Sequence, residues 1–317
     1  MVFGWRTLPD VASRMIDHAV AAGVNLIDTS NSYGRGLSEL IIGDALTRSG
    51  RRNEVILSTK FHLTPRPDEV RPAGDLSHYI RHQCEHSLRR LRTDRIDLYH
   101  IHGPCTDIPN LQIIDSLDDL VKAGKVTHIG TSNFSVRQLS EITEAARCPS
   151  SIRFIAEQAP YNLLDRSIED DLLPFAAARG LKIIAWSPLA EGILSGQYKR
   201  GKNLPTESRF AKIDRAGTYG QRLSDRVFDR VEALERFAQR KGTSLPCLSL
   251  AWAMMRPEIA SVVVGPRTLE QLNKSLTSIQ VQLTDADRHE IDLIALPSSA
   301  VSRYVLAPSI PSTSPNL

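Results

Sequence analysis

Four side chains in the first part of the sequence are suited to acid–base chemistry at a carbonyl group. They are Asp28, Tyr33, Lys60 and His102. A phenol is a weak acid with a pKa near ~10, but a nearby ammonium group favours the phenolate and lowers that pKa. A carboxylate beside the lysine would keep it charged and fixed in place. An imidazole within hydrogen-bond reach can orient a carbonyl oxygen or relay a proton. The set predicts a general-acid site in which Tyr33 is the proton donor.

Polar residues end five successive apolar runs of the sequence. They are Asp28, Lys60, His102, Ser132 with Asn133, and Glu157 with Gln158. The carboxyl ends of the parallel strands in a barrel converge on one face, where the active site lies, so we expect these residues to lie near one another. A single strand-end Asp or Lys is more often a helix cap or a solvated side chain. The prediction therefore depends on all five runs ending alike.

The apolar runs alternate with amphipathic stretches along the chain. The predicted strands are residues 25–28, 55–60, 96–100, 126–132, 154–158, 183–186 and 261–264. The predicted helices are residues 8–22, 38–47, 76–91, 111–123, 136–146, 168–178, 227–241 and 269–275. Glycines at 23, 124, 180 and 242 mark helix ends. Such alternation is typical of a parallel sheet, and in a chain of 317 residues it predicts an α/β fold, the (β/α)8 TIM barrel.

The ends of the chain depart from this regular pattern. A closed barrel needs eight strands because an open sheet leaves edges unpaired, yet only Val2 and Phe3 are available before the first helix. We therefore expect the first strand to be truncated and Met1 not to be the natural start. We expect one barrel domain over residues 1–296 and a Ser/Pro-rich tail over residues 297–317.

Composition excludes several classes of protein. The net charge is +3 with the charges interspersed, so no basic run predicts nucleic-acid binding. No apolar stretch reaches the ~20 residues of a membrane span, and no signal peptide begins the chain. The four cysteines are far apart and form no CxxC pair, which is typical of a reducing compartment. We expect a cytoplasmic protein; its oligomeric state is not predicted.

A metal site is not predicted either. Three histidines recur at four-residue spacing on one predicted helix, at His78, His82 and His86. They are about 200° from the apolar stripe of that helix, so a solvated face is the better interpretation.

Seven stretches of the sequence resemble the aldo-keto reductase superfamily. They are NLIDTSNSYGRGLSELIIGDAL, VILSTK, SLRRLRTDRIDLYHIHGP, AGKVTHIGTSNFS, EQAPYNLLDR, IIAWSPLAEGILSGQY and VVVGPRTLEQL. The chain lacks the GxGxxG motif of the doubly wound dinucleotide fold, in agreement with this resemblance. The resemblance implies that Asp28, Tyr33, Lys60 and His102 form the catalytic tetrad. It also implies an oxidoreductase that uses NADPH to reduce a small-molecule carbonyl substrate, namely an aldehyde, a ketone or a keto-sugar.

The resemblance also implies which residues hold the cofactor. The carboxamide would be held by Ser132, Asn133 and Gln158, and Trp186 would stack on the nicotinamide ring. The pyrophosphate would be lined by Ser187, Leu189, Gly192 and Leu194. The adenosine end would be approached by Gly265, Arg267 and Gln271, with Arg267 suited to a 2′-phosphate. Lys274 and Ser275 stand where the family usually has Glu and Asn, so adenine recognition is expected to differ.

A second function remains open at this point. Channel β-subunits share the fold and keep the cofactor site while acting mainly as partners, so a regulatory binding module is the alternative. The presence of all four tetrad residues favours an enzyme. The opening FGWRT is similar to that of sugar ketoreductases, but substrate-selecting loops carry no transferable code.

Overall fold

The computed structural model describes residues 3–4, 6–64, 76–146, 152–206, 208, 210–211, 220–301 and 304. Within these residues seven strands follow one another in chain order in one sheet. They are β1 Leu26–Asp28, β2 Ile56–Phe61, β3 Ile96–Ile101, β4 Val126–Ser132, β5 Phe154–Pro160, β6 Lys182–Trp186 and β7 Ile259–Val262. The pairings β1–β2, β2–β3, β3–β4, β4–β5 and β6–β7 are parallel. The seven predicted strands are confirmed, with ends that differ by at most two residues.

Ten α-helices lie in the described part of the chain. They are α1 Pro9–Ala21, α2 Leu37–Ser49, α3 Leu76–Leu91, α4 Asn110–Lys122, α5 Val136–Ala145, α6 Leu172–Arg179, α7 Asp225–Arg240, α8 Leu245–Ala253, α9 Leu269–Leu276 and α10 Asp285–Ile294. The predicted start of α6 at Ile168 is wrong, because residues Ser167–Glu169 form a separate 3-10 turn. All four predicted glycine stops have positive φ, and Gly180 is the C-cap of α6 with φ 66°.

Two helices, α8 and α10, were not among the predicted ones. Helix α8 reads LPCLSLAWA and is apolar on all sides, so it has no amphipathic period to detect. It starts at the cap Ser244, whose hydroxyl accepts a hydrogen bond from Cys247 N, and its apolar side chains are buried. Helix α10 has few apolar residues but a full capping box between Thr284 and Asp287.

The chain divides into two compact units, which are described separately. The first contains the described residues of Met1–Gln158 and Gly265–Leu272. In this unit the strand register places polar residues of neighbouring strands opposite each other. Asp28 pairs with Ser58, and Lys60 pairs with His100. Phe3 forms a single β-bridge with Thr7, while Val2, in the predicted first strand, lies outside the described residues.

The second unit contains the described residues of Ala159–Val264 and Asn273–Leu306. Strands β6 and β7 pair with Ala185 opposite Val262. This unit contains a buried arginine with two carboxylate partners. The Arg166 guanidinium forms ion pairs with Glu169 at 2.9 Å and with Asp292 at 2.7 Å. Buried charges need such partners because leaving water is costly for an unpaired ion.

No helix in the described ranges combines the length and apolar character needed to cross a bilayer. The same residues contain no cluster of His, Cys, Asp or Glu that could hold a metal ion. Cys84 and Cys247 are buried free thiols and Cys105 is half-buried, whereas Cys148 lies outside the described residues.

Candidate active site

The core of the site is a buried ion pair between the ends of two neighbouring strands. Lys60 Nζ lies 2.5 Å from Asp28 Oδ2, and the two side chains are 0% and 6% exposed. The other carboxylate oxygen of Asp28 accepts hydrogen bonds from Ser58 Oγ at 2.8 Å and Gln158 Nε2 at 3.0 Å. Burial raises the pKa of Asp28, but the Lys60 charge and these hydrogen bonds together hold it below its ordinary value. The pKa of Lys60 is raised although burial lowers it, because Asp28 and Tyr33 favour the ammonium form. The pair is therefore ionised at neutral pH.

Tyr33 lies in a 3-10 turn shortly after β1, and it is half-buried beside this pair. Lys60 Nζ is 5.4 Å from the centroid of the Tyr33 ring. The sequence predicted that Lys60 would lower the pKa of this phenol. Burial instead raises the pKa of Tyr33 above its ordinary value, and the charge and hydrogen bonding of Lys60 oppose that rise without overcoming it. In this structure Tyr33 therefore holds its proton at neutral pH.

His102 follows β3 and lies beside the phenol. Its ring meets that of Tyr33 edge-on with centroids 5.7 Å apart, and it stacks on His62 at 4.4 Å. His102 Nδ1 lies 3.0 Å from Ser30 Oγ, and either atom can be the donor. Burial first, and then the positive charge of Lys60, hold the pKa of His102 well below 6.5. A neutral imidazole at this position can donate a hydrogen bond to a carbonyl oxygen without carrying charge.

His100 lies in β3 as the strand residue two positions before His102. Its Nδ1 is 3.1 Å from the carbonyl oxygen of Thr131, and burial lowers its pKa to about 4. The neighbouring strand has Gly130 at the point of contact, where a β-carbon would lie 2.6 Å from His100 Nδ1. The neutral ring thus packs directly against backbone.

The residues predicted to hold the carboxamide are joined to the tetrad. Asn133 has φ 66°, and its Nδ2 donates to the carbonyl of His102 at 3.2 Å and to Ser132 Oγ at 3.1 Å. Ser132 Oγ in turn donates to the carbonyl of Gln158 at 3.0 Å. Because the Gln158 side chain binds Asp28, one hydrogen-bonded network contains both groups of predicted residues.

Two buried glutamates lie in the same unit. Glu157 was among the polar residues predicted at the strand ends, whereas Glu39 was not singled out from the sequence. Glu157 is fully buried, and its Oε1 accepts a hydrogen bond from Phe134 N at 3.0 Å, which fixes the turn after β4. Burial raises the pKa of Glu157 to about 8. Glu39 accepts from Thr59 Oγ1 and Arg90 Nε, each at 2.6 Å. Glu39 was missed because a single carboxylate within a predicted helix follows no pattern that would mark it.

Ser30, Ser58 and His62 were also missed. Ser58 could have been found, because it lies two residues before Lys60 and successive residues of a strand alternate between its two faces. Ser30 and His62 lie in loops, where no such period applies.

The residues predicted for the nicotinamide ring and the pyrophosphate lie in the second unit, in and after β6. Residues 187–194 form a tight turn, which we call the 187–194 turn. Three of its side-chain-bearing residues have left-handed backbone conformations, namely Ser187, Ala190 and Glu191. Glu191 N donates to Ser187 Oγ at 3.1 Å, and Gly192 has φ 99°. Leu194 is fully buried, whereas Trp186 and Leu189 are half-buried.

Two further residues that the sequence did not predict lie against this turn. The Tyr304 ring packs edge-on against Trp186 at 4.8 Å, and its hydroxyl lies 2.5 Å from Ser187 Oγ. The Arg222 guanidinium lies 3.8 Å from the centroid of the Tyr304 ring and 3.3 Å from Glu191 Oε2. Both come from segments without apolar periodicity, so no sequence signal marked them.

The residues predicted for the adenosine end lie in the first unit. Arg267 N donates to Gln271 Oε1 at 2.8 Å, and Thr7 Oγ1 donates to the carbonyl of Arg267 at 3.2 Å. Gly265 is exposed, and no atom lies within 4 Å of where its β-carbon would be. The roles of these residues toward a ligand stay predictions.

Comparisons with known proteins agree with the resemblance. The profile of the Aldo/keto reductase family matches residues 1–295. The chain is 34% identical to the uncharacterized oxidoreductase YrpG of Bacillus subtilis, over 89% of this chain and 86% of that protein. It is 31% identical to a probable voltage-gated potassium channel subunit beta of Arabidopsis thaliana, over 82% of this chain and 79% of the relative.

A solved structure supports the fold. The holo form of aldo-keto reductase AKR11C1 from Bacillus halodurans matches with a TM-score of 0.74 and 25% identity, over 95% of this chain and 91% of that one. The predicted (β/α)8 TIM-barrel class is thereby confirmed. Family membership supports nicotinamide-dependent carbonyl oxidoreduction in general. This chain belongs to the aldo/keto reductase family.

Proposed function

We propose that the protein is an NADPH-dependent carbonyl reductase in which Tyr33 donates a proton to the substrate oxygen. The substrate class is an aldehyde, a ketone or a keto-sugar. The observation that carries the proposal is the buried Asp28–Lys60 ion pair at 2.5 Å, with the Tyr33 phenol beside its ammonium group. A structural ion pair alone would not require a phenol and a neutral imidazole at the same place.

Each residue of the tetrad has a distinct task. Tyr33 keeps its proton at neutral pH because its pKa is raised by burial, so the proton is available for donation. As the phenolate forms, the Lys60 ammonium stabilises it by charge, and Asp28 holds that ammonium in place. His102, being neutral, orients the carbonyl oxygen toward the phenol.

The donor sets fit a nicotinamide cofactor. Ser132, Asn133 and Gln158 present hydroxyl and amide groups of the kind that bind a carboxamide. Trp186 would stack on the ring, and the 187–194 turn would receive the diphosphate. Gly265, Arg267 and Gln271 would bind the adenosine end, with Arg267 pairing the 2′-phosphate that NADPH has and NADH lacks. When bound, the cofactor supplies the hydride.

A panel of simple aldehydes, ketones and keto-sugars tests the proposal, with oxidation of NADPH followed by its absorbance. We expect measurable turnover for at least one class, and the loss of that turnover in a Tyr33→Phe variant. Tight NADPH binding without oxidation on any carbonyl would refute an enzymatic role.

That outcome would support the second candidate function, a cofactor-binding regulatory subunit. The observation that favours it is the 31% and 32% identity to two proteins named as probable potassium channel β-subunits. The complete tetrad favours the reductase.

A further inference from the structure

We propose that Arg222 is a further cofactor-binding residue, which supplies positive charge to the 187–194 turn, and that Glu191 limits this charge. The inference rests on the proposed function, because it takes the diphosphate of the cofactor as the ligand of that turn. It concerns residues of the second unit only.

The first observation is that the Arg222–Glu191 ion pair is buried. Arg222 Nη1 lies 3.3 Å from Glu191 Oε2, and the two side chains are 4% and 6% exposed. A buried ion pair contributes little net stability over an apolar pair of similar size, because desolvation offsets the attraction. Stability of the fold alone is therefore a weak reason for placing two charges here.

The second observation is that both members of the pair reach the residues predicted for the cofactor. Glu191 is itself part of the turn, and its backbone N–H donates to Ser187 Oγ at 3.1 Å. The Arg222 guanidinium lies 3.8 Å from the centroid of the Tyr304 ring. Tyr304 in turn contacts Ser187 through its hydroxyl, at 2.5 Å, and Trp186 through its ring. The pair and Tyr304 thus enclose the start of the turn.

Tyr304 gives Arg222 a fixed platform. The backbone N–H of Tyr304 donates to Asp165 Oδ2 at 2.9 Å, which anchors the backbone of this residue. A guanidinium stacked on an aromatic face keeps its hydrogen-bonding edges available. The Arg222 guanidinium is therefore held in a position from which it can bind an anion in addition to its partner Glu191.

The two charges of the pair would act on a bound diphosphate in opposite ways. A diphosphate placed at the turn carries negative charge, and a carboxylate at Glu191 repels it, whereas Arg222 attracts it. With both present the pair is neutral as a whole. The turn then binds the diphosphate less tightly than Arg222 alone would allow, and this ion pair sets the affinity of the site. Removing one charge at a time must change cofactor affinity in opposite directions.

The experiment measures the dissociation constants of NADPH and NADH for the full chain by fluorescence titration. Glu191→Gln keeps the shape of the side chain and removes its charge. We expect it to bind both cofactors about fivefold more tightly or better, and Arg222→Met to bind both about tenfold more weakly or worse. The two cofactors should respond equally because they share the diphosphate.

A matched control removes the same charge elsewhere in the same unit. Glu235 pairs with Lys199 at 2.8 Å in a far more exposed ion pair, so Glu235→Gln should leave both dissociation constants unchanged. Arg222→Lys keeps the charge and should restore most of the affinity that Arg222→Met loses. If Arg222→Met does not fold, as judged by its melting curve, Glu191→Gln alone decides.

The inference is overturned if Glu191→Gln binds NADPH with unchanged or weaker affinity, or if a folded Arg222→Met binds as the wild type does. These results would leave the proposed function intact, provided the wild type binds and oxidises NADPH. A wild-type protein that binds neither cofactor would refute the proposed function and this inference together.

Discussion

The tetrad and the 187–194 turn are built in different ways. In the tetrad, Asp28 and Lys60 lie near the ends of paired parallel strands. Register sets Asp28 opposite Ser58, and the Lys60 side chain, two residues further along the strand, reaches the Asp28 carboxylate. Around the turn, Arg222 contacts Glu191 and Tyr304, and these three residues come from segments that are distant along the chain. A site built on paired strands is specified by local sequence pattern. A site built from loops depends on contacts that form only when the whole unit has folded.

The sharpest test of the strand-built site is Tyr33→Phe. The substitution removes the proposed proton donor and keeps the ring, so kcat should fall about 10²–10⁴-fold while NADPH affinity stays near the wild-type value. Tyr99→Phe is the matched control: its hydroxyl is buried with no hydrogen-bond partner in the described residues, so turnover should be unchanged. Near-wild-type turnover in Tyr33→Phe would contradict the mechanism.

The ion pair within the same site should also matter for stability. Asp28→Asn leaves the fully buried Lys60 ammonium without its carboxylate, which should lower the free energy of unfolding by about 3–5 kcal/mol. Urea denaturation measures this change. The control is Asp44→Asn, which breaks an exposed pair with Arg92 and should cost less than ~1 kcal/mol. Equal effects of the two substitutions would show that the buried pair has no special importance.

Substitutions of Arg267 and Arg222 should differ in how they change the affinities for NADPH and NADH. A charge-assisted hydrogen bond contributes about 1.5–3 kcal/mol, so Arg267→Ala should weaken NADPH binding by about 10–100-fold more than NADH binding. Arg222→Met should weaken both equally. Titration of each variant with each cofactor tests this distinction, and an equal loss of both cofactors in Arg267→Ala would remove Arg267 from 2′-phosphate recognition.

A pH dependence of the free energy of unfolding is expected from Glu157. Burial raises the pKa of Glu157 to about 8, so the folded protein keeps a proton that the unfolded chain loses above about 4.5. The resulting stabilisation is complete below the unfolded value and is lost as pH rises through this range, by at most about 1.4 kcal/mol per pH unit.

Glu157→Gln should remove this contribution. Urea unfolding of both proteins between pH 5 and pH 9 compares the slopes on that interval. Parallel slopes would mean that Glu157 is ionised in the folded protein at neutral pH.

The strands and the closeness of the strand-end residues could be predicted because both depend on short-range patterns, whereas the catalytic roles of the tetrad stay predictions. The strand ends differ from prediction by at most two residues, and Asp28, Lys60 and His102 lie where the apolar runs stop. Helix α8 was missed because a helix buried on all sides has no polar face to give it a period.

The direction of the Tyr33 pKa shift could not be predicted either. It results from burial opposing the Lys60 charge, and the degree of burial is a property of the folded chain. The same holds for Arg222 and Tyr304, whose contacts join residues that are distant along the chain. Long-range contacts of single residues leave no periodic trace in one sequence.

The burial of Cys84 in helix α3 has a consequence for chemical labelling. Burial raises the pKa of the Cys84 thiol to about 12, and only the thiolate reacts readily with alkylating reagents. In the native protein this sulfur should therefore resist iodoacetamide while the half-buried Cys105 reacts. The rate at which Cys84 becomes alkylated would then measure how often helix α3 unfolds locally next to the site.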